Sequence, residues 1–483
     1  MAIAISILFP LLCGLAMPAV DKLNKRGVRL GITVAMEAIQ TAFTLWLVCA
    51  KESATNSLTF AKGLSIGFAS DMTAKFFCLL VSVAWLLVTI YACVYMKHEK
   101  NEGRFFLFSF LTQGAMMGSI LSSNLVSMYL FFEMVTLFSA PLVLHSLSKE
   151  SIAAAKKYLY YSIGGAFLAL FGIFVLAVNA PTLVFHPAGN MTEASPLVLI
   201  GVLCMCIGFG AKAGLFPLHG WLPTAHPVAP APASALLSGI IAKIGVLAII
   251  RTVFFTVGAR NIAGTWVQTT LLTLSLLTVL MGSMMAYLEK GFKKRLAYST
   301  VSQISYVLVG LFLFTGAGVE GALWQILFHA VVKVGLFLCA GAVIFLYGKT
   351  NVEQLHGLGK KMPITFVCFT VLSLSLIGIP PTGGFFSKWY LASAALSNEG
   401  VGILSWLAPA ILLVSALLTA AYLLSISIQA FWKPNDHDSE ETAVAEPKRM
   451  TIPLMLLAAV AFFGGVFSQQ IGEILSAVTR SIL

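Results

Sequence analysis

GFGAKAGLFPLHGWLPTAHPVAPAPASALLSGIIAK, residues 208–243, starts as an apolar helix carrying Lys212. It breaks through Pro217, Pro223, Pro227, Pro230 and Pro232, and resumes as a second apolar helix carrying Lys243. Five prolines in sixteen residues end a helix, because proline has no N–H to donate and its ring clashes with the preceding turn. Inside a membrane such a break is tolerated only where the freed backbone groups line a protein-enclosed cavity. A lysine on either side of it is costly in lipid and marks a candidate functional site.

The chain around this stretch has 483 residues, of which 59% are hydrophobic and 10% charged. Its mean hydropathy is +0.92. Soluble domains carry roughly 25% charged residues. Apolar runs of about 20 residues, enough to cross a bilayer, recur along the whole length. The fold class expected is an all-α polytopic membrane protein, one membrane domain over 1–483 with no separate soluble domain. MAIAISILFP, at the start, lacks the basic n-region and cleavage site of a signal peptide and reads as a retained first span. The eight cysteines (13, 49, 78, 93, 204, 206, 339 and 368) fall in or at the ends of apolar segments without a CxxC, which reads as buried, inert thiols and disfavours iron–sulfur ligation.

Fourteen spans are expected, at 2–20, 28–50, 72–95, 105–121, 124–147, 153–180, 196–216, 230–257, 266–288, 298–316, 320–347, 363–391, 402–432 and 450–475. Sorting lysine and arginine by the intervening loops tests this count. Twenty fall on one side, including Lys97, Lys100, Arg104, Lys149, Lys156, Lys157 and the Lys290–Arg295 group. Six fall on the other: Lys51, Lys62, Lys75, Arg251, Arg260 and Arg480. By the positive-inside rule the richer side is cytoplasmic and both termini face outward. The net charge of +11 thus has its explanation in membrane orientation, and nucleic acid is not an expected partner. KESATNSLTFAKGLSIGFASD (51–71) is too polar to span and reads as an extended external hairpin, and KPNDHDSEETAVAEPKR (433–449) as a flexible solvated link.

GIPPTGGFFSKWYL (378–391) is a second Pro/Gly break, with Lys388 beside it, five spans after the first. An odd offset gives the two copies opposite orientations, so two inverted halves are placed at 104–257 and 266–432. Paired interrupted helices in such halves point to a transport site near the midplane.

Four lysines remain inside spans: Lys212, Lys243, Lys333 and Lys388. Glu133 joins them, and His329 stands one turn from Lys333 at i, i+4. Each charged group costs ~2.5–3.5 kcal/mol at a helix centre. Together that is on the order of 15 kcal/mol, comparable to the whole stability of a domain. Structural plugging or snorkelling is the bland account of any one of them, and a satisfied core histidine that of His329 alone. Strung along several spans, the set fits charge-coupled protonation instead. Burial disfavours an ammonium, a nearby carboxylate favours it, and moving one charge switches the next. Glu37, in span 2 without a cationic partner in its own helix, is divided evenly between the two accounts. His145, near a helix end, and His219 and His226, in the break, are candidate access groups.

FFEMVTLFSAPLV (131–143), KKYLYYSIGGAFLALFGIFVL (156–176), the 208–239 stretch, KKRLAYSTVSQISYVLVG (293–310), LFHAVVKVGLFLCAG (327–341) and GIPPTGGFFSKWYL (378–391) carry a resemblance over nearly the whole chain. They resemble the proton-pumping, antiporter-like membrane subunits shared by respiratory complex I, membrane-bound energy-converting hydrogenases and Mrp-type Na⁺/H⁺ antiporters. The resemblance implies about fourteen transmembrane helices, two inverted five-helix repeats containing broken helices, and a central hydrophilic axis. It implies a key glutamate at Glu133 facing a lysine on the broken helix at Lys212, a connecting lysine at Lys243, a second-half relay at His329 and Lys333, and an exit-side lysine at Lys388. Gly291 departs from the pattern, which often has an acidic residue there. The long lateral C-terminal helix of some relatives has no counterpart before Leu483.

No phosphate-cradling glycine loop, Cys₄ spacing or paired intramembrane histidines are present, so no cofactor and no metal are expected in this chain. The expected partners are other membrane subunits and a peripheral redox module, the lipid bilayer, and H⁺ or Na⁺ as the transported ion. The expected location is the cell (inner or plasma) membrane. The leading expectation is an ion-translocating subunit of an oxidoreductase assembly, of hydrogenase or NADH:quinone oxidoreductase type. The alternatives are a Mrp-type antiporter subunit without redox partners and an independent secondary solute transporter. The latter would gather its polar groups into one compact pocket. A purely structural spacer leaves four buried lysines unexplained.

Overall fold

Runs of apolar residues in lipid have no water to satisfy their backbone groups, so they fold as helices. The computed structural model describes residues 1–55, 57–61, 64–432 and 444–483. In order come α1 (Ala2–Val20), α2 (Arg26–Cys49), α3 (Met72–Tyr95), α4 (Glu102–Ile120), α5 (Leu125–Val143), α6 (Lys149–Asn179), α7 (Pro196–Ala213) and the short α8 (Leu222–Val228). There follow α9 (Ala231–Val257), α10 (Trp266–Leu288), α11 (Phe292–Phe312), α12 (Gly316–Tyr347), α13 (Pro363–Ile377), α14 (Gly383–Leu396), α15 (Leu404–Trp432), α16 (Lys448–Val466) and α17 (Ser468–Ile482).

Among the described residues, eleven helices are long and apolar enough to cross a membrane. The other three expected spans are α4 and α11, which are more polar, and the broken pair α13/α14. The chain is a multi-pass, all-α membrane protein. The residues around 51–71 pair as two short antiparallel ladders, Ser53–Ala54 with Ala69–Ser70 and Leu58–Ala61 with Leu64–Ile66, in keeping with the expected hairpin. Lys62 and residues 433–443 of the expected link lie outside the described residues.

Three expectations are corrected. The last span does not run through 450–475: α16 ends at Val466, and Phe467 turns the chain into α17. That helix is amphipathic, burying Leu475, Val478, Thr479 and Ile482 at i, i+3, i+4 and i+7 against α12 and α3. Arg251, counted with the loops, is inside α9 and fully buried. It pairs bidentately with Asp71 at the start of α3, its Nη2 donating to Oδ1 at 2.8 Å, and stacks near the Phe255 ring at 4.5 Å. The cysteines are all free, but Cys49 is exposed and Cys204 half-buried.

Lipid gives helices little hydrophobic reason to associate, so small residues that admit close backbone contact decide which faces meet. Gly165 and Gly172 of α6 meet Gly208 and Gly201 of α7. A Cβ on Gly165 would lie 2.7 Å from the Gly208 carbonyl, and one on Gly172 would overlap the Gly201 carbonyl. The matching seven-residue steps on antiparallel helices fix the register, and one step further Tyr158 comes level with the end of α7.

Candidate functional site

α7 stops where the sequence demands. Gly214 adopts φ +85° at its C-cap, and Pro217 follows. Lys212 therefore sits in the last turn of a helix whose partner across the seam carries Tyr158. Its Nζ donates to Thr136 Oγ1 of α5 at 2.9 Å and to the Tyr158 hydroxyl, and it lies 4.4 Å from the centre of the Tyr158 ring. Tyr158 in turn is 2.6 Å from Ser139 Oγ.

Glu133 stands one turn before Thr136 on the same face of α5. Glu133 and Lys212 are not in direct contact: among the described residues no ion pair within 4.0 Å joins them, and Glu133 Oε1 is buried without a hydrogen-bond partner. Thr136 and Tyr158 intervene because their hydroxyls reach Lys212 first. The half-buried glutamate is left as a neighbouring charge.

The second cluster is built around a defect in α9. Leu237–Ile241 winds as a π-helix just before Lys243, a distortion frequent at functional sites. Lys243 Nζ donates to the Ser238 carbonyl at 2.9 Å and lies 2.6 Å from His329 Nδ1 of α12. Donation by an ammonium there leaves the imidazole neutral with its proton on Nε2, an atom with no partner among the described residues. Lys333, one turn further on α12, donates to the Leu296 carbonyl of α11 at 3.0 Å. Thr300 Oγ1 donates to the same carbonyl at 2.9 Å and lies 2.6 Å from Ser238 Oγ. Ser238, Thr300 and Leu296 thus bridge Lys243 to Lys333. Lys212, Lys243, His329 and Lys333 are each no more than 2% exposed. Gly245 lets α9 approach α7 so closely that a Cβ there would lie 3.1 Å from Lys212 Cβ. No direct hydrogen bond joins Lys212 to Lys243 among the described residues.

Lys388 forms the third group. Its Nζ reaches from α14 to the Leu376 and Ile377 carbonyls, the open C-terminus of α13, where a cation also complements the helix dipole. Gly384 makes this possible, since a Cβ there would collide with the Ser375 carbonyl. Gly465 of α16 presses against the same break, with the Pro381 carbonyl oxygen where its Cβ would be.

The sequence reading missed a chain of neutral polar groups running from Ser299 of α11 to Ser387 of α14. Tyr422 OH donates to Ser299 Oγ at 2.6 Å and lies 3.3 Å from Thr419 Oγ1. Gln303 Nε2 donates to Thr419 Oγ1 at 3.4 Å, and Gln325 Nε2 to Gln303 Oε1 at 2.9 Å. Ser387 Oγ, beside Lys388, donates to Gln325 Oε1 at 2.6 Å. Polar residues recurring at i, i+3 or i+4 inside spans were the available signal: Glu133, Thr136 and Ser139 on one helix, Ser299 and Gln303 on another. Of the access candidates, His226 is buried and stacks on Phe337 at 4.8 Å, His145 is buried, and neither has a partner on either ring nitrogen among the described residues. His219 stacks on Phe216.

The profile of a family described as NADH:quinone oxidoreductase/Mrp antiporter, TM matches residues 122–419, which include Glu133, Lys212, Lys243, His329, Lys333 and Lys388. The chain belongs to this family. A second profile, NADH-ubiquinone oxidoreductase (complex I) chain 5 N-terminus, matches residues 60–106. NADH-quinone oxidoreductase subunit N of Desulforudis audaxviator is 31% identical, the match covering 81% of this chain and 80% of the relative. A Na(+)/H(+) antiporter subunit of Alkalihalophilus pseudofirmus is 30% identical over 86% of this chain and 84% of its own. The fold is that of a subunit in the Mrp complex of a Dietzia species (TM-score 0.87, 23% identity, covering 99% of this chain and 96% of that one). It is also that of a subunit in respiratory complex I from Thermus thermophilus with bound NADH (TM-score 0.82, 23% identity, 100% of both chains). The chain is an antiporter-like membrane subunit, and its relatives are components of multi-subunit complexes.

Proposed function

We propose that this chain translocates H⁺ or Na⁺ along a relay of Glu133, Lys212, Lys243, His329, Lys333 and Lys388, within a larger membrane complex. One observation carries the reading: among the described residues none of the four intramembrane lysines has a carboxylate within ion-pair distance. A buried lysine retained for stability would be paired, because an uncompensated buried charge costs ~3–5 kcal/mol. Thr136 and Tyr158 instead offer Lys212 hydroxyls, which accept from an ammonium and donate to a neutral amine, so they serve both protonation states.

The energy for transport enters from redox chemistry in partner subunits, in an assembly of NADH:quinone oxidoreductase or hydrogenase type. The match to NADH-quinone oxidoreductase subunit N supports this. The match to a Na(+)/H(+) antiporter subunit favours a Mrp-type assembly without redox partners as the second reading. The masses of co-purifying subunits decide between them. The reading assigns this chain no cofactor of its own, and an absorbance band from the purified single subunit would contradict that. The occurrence of one broken helix in each of 104–257 and 266–432 supports two inverted halves.

The relay is tested by Lys212→Ala and Lys212→Arg in the reconstituted complex, with assembly checked in parallel. Both variants are expected to abolish transport, because arginine keeps its charge and releases no proton at accessible pH. Normal transport by Lys212→Arg would leave Lys212 a structural cation. The cell membrane, with both termini external, is the location proposed. Labelling of a cysteine placed in the 290–295 loop from outside intact cells would overturn that orientation.

A further inference from the structure

A second polar cluster lies outside the relay, where α1, α2 and α4 meet. Glu37, Gln40, Gln113 and Ser6 are all fully buried. Gln113 Nε2 donates to Glu37 Oε1 at 2.7 Å across 76 residues of sequence. Pro10 in the middle of α1 has no N–H, which frees the Ser6 carbonyl one turn before it. Gln40 Nε2 takes that carbonyl at 3.0 Å. Both amide groups thus use an N–H to hold the cluster together. Glu37 Oε2, Gln40 Oε1, Gln113 Oε1 and Ser6 Oγ are left buried with no hydrogen-bond partner among the described residues.

Four orphaned oxygens, one of them belonging to a carboxylate, are a donor set for a hard cation, and leaving them unfilled in an apolar surround is costly. We propose that Ser6, Glu37, Gln40 and Gln113 form a binding site for a monovalent cation of the Na⁺ class. One carboxylate neutralises one positive charge; a divalent ion would keep an uncompensated charge in the apolar interior. A proton would join one carboxylate oxygen to one acceptor and leave the others unfilled. A small crevice between the same three helices is lined by Asp21, Glu102, Arg29 and Thr33. Thr33 and Glu37 share a face of α2, one turn or ~6 Å apart along the axis. The site stands apart from the relay, and its test does not depend on transport.

The purified complex is unfolded by heat in increasing NaCl, with choline chloride replacing it at constant ionic strength. The expected result is a saturable, Na⁺-dependent rise of the unfolding midpoint. Glu37→Gln abolishes it, Gln113→Leu moves its half-saturation at least about tenfold higher, and Lys212→Ala leaves it unchanged. Should Glu37→Gln fail to assemble, equilibrium binding of radioactive Na⁺ to wild type and to the milder Ser6→Ala carries the test, with weaker binding expected in the variant. No Na⁺-dependent rise, an equal rise in Glu37→Gln, equal binding in Ser6→Ala, or an infrared band of a protonated Glu37 carboxyl at saturating Na⁺ would each overturn the site.

Discussion

Tyr158→Phe removes one oxygen from the grip on Lys212 and changes nothing else of size. The ring keeps its place against Trp221, with centroids 4.8 Å apart, and Ser139 Oγ retains the Val135 carbonyl at 2.6 Å as an acceptor. No cavity opens, so the variant should assemble normally. The Lys212 ammonium keeps Thr136 at 2.9 Å and loses its second hydroxyl. A hydrogen bond to a charged group contributes ~1.5–3 kcal/mol. At 1.4 kcal/mol per factor of ten, that is roughly a 10- to 150-fold change in the population of protonated Lys212 relative to the other relay groups. Transport limited by that population should fall by a comparable factor. The assay is ion uptake into proteoliposomes holding the reconstituted complex, with subunit content measured on the same preparation. Thr136→Val should behave alike, and the double variant should lose more than either. Transport within twofold of wild type in Tyr158→Phe, with assembly intact, would refute the idea that these hydroxyls hold Lys212 for proton exchange.

Gly208→Leu drives a side chain into the α6–α7 seam, where even a Cβ would overlap the Gly165 carbonyl; the expected result is loss of assembled complex on native gels, at a cost of at least ~1–3 kcal/mol. Asp71→Asn orphans the buried Arg251 guanidinium and should lower thermal stability by ~3–5 kcal/mol. Burial pushes the Asp71 carboxyl up, but Arg251 and the Ala74 N–H outweigh it and hold the carboxyl below the usual carboxylate range. Its stabilisation is therefore present above the unfolded carboxylate value of ~3.9 and is lost as pH falls through the lower folded one. Acid unfolding of the wild type should show this loss, and Asp71→Asn should lack it.

The spans, the break after Lys212, the second break before Lys388 and the six ionisable residues inside the helices were legible in the sequence. Each depends on local facts: the length of an apolar run, a proline without an N–H, a charge inside such a run. The end of α16 at Phe467 was less so, because FSQQIGE continues a helical period while changing its exposed face. What holds the lysines was not legible. Tyr158 is 54 residues from Lys212, and His329 is 86 from Lys243. The glycine seam of α6 and α7 sets the first meeting, and Gly239, which faces Ala330 and Val334 of α12 in the π-helical turn before Lys243, the second. Glu37 looked ambiguous for the same reason, its partner Gln113 lying on another helix. The sequence by itself determined which groups the membrane interior must contain, because the cost of placing a charge there arises residue by residue. Only the tertiary structure decided that neutral hydroxyls, carbonyls and one imidazole, not carboxylates, receive the lysines, because which helix faces meet depends on packing between segments far apart in the chain.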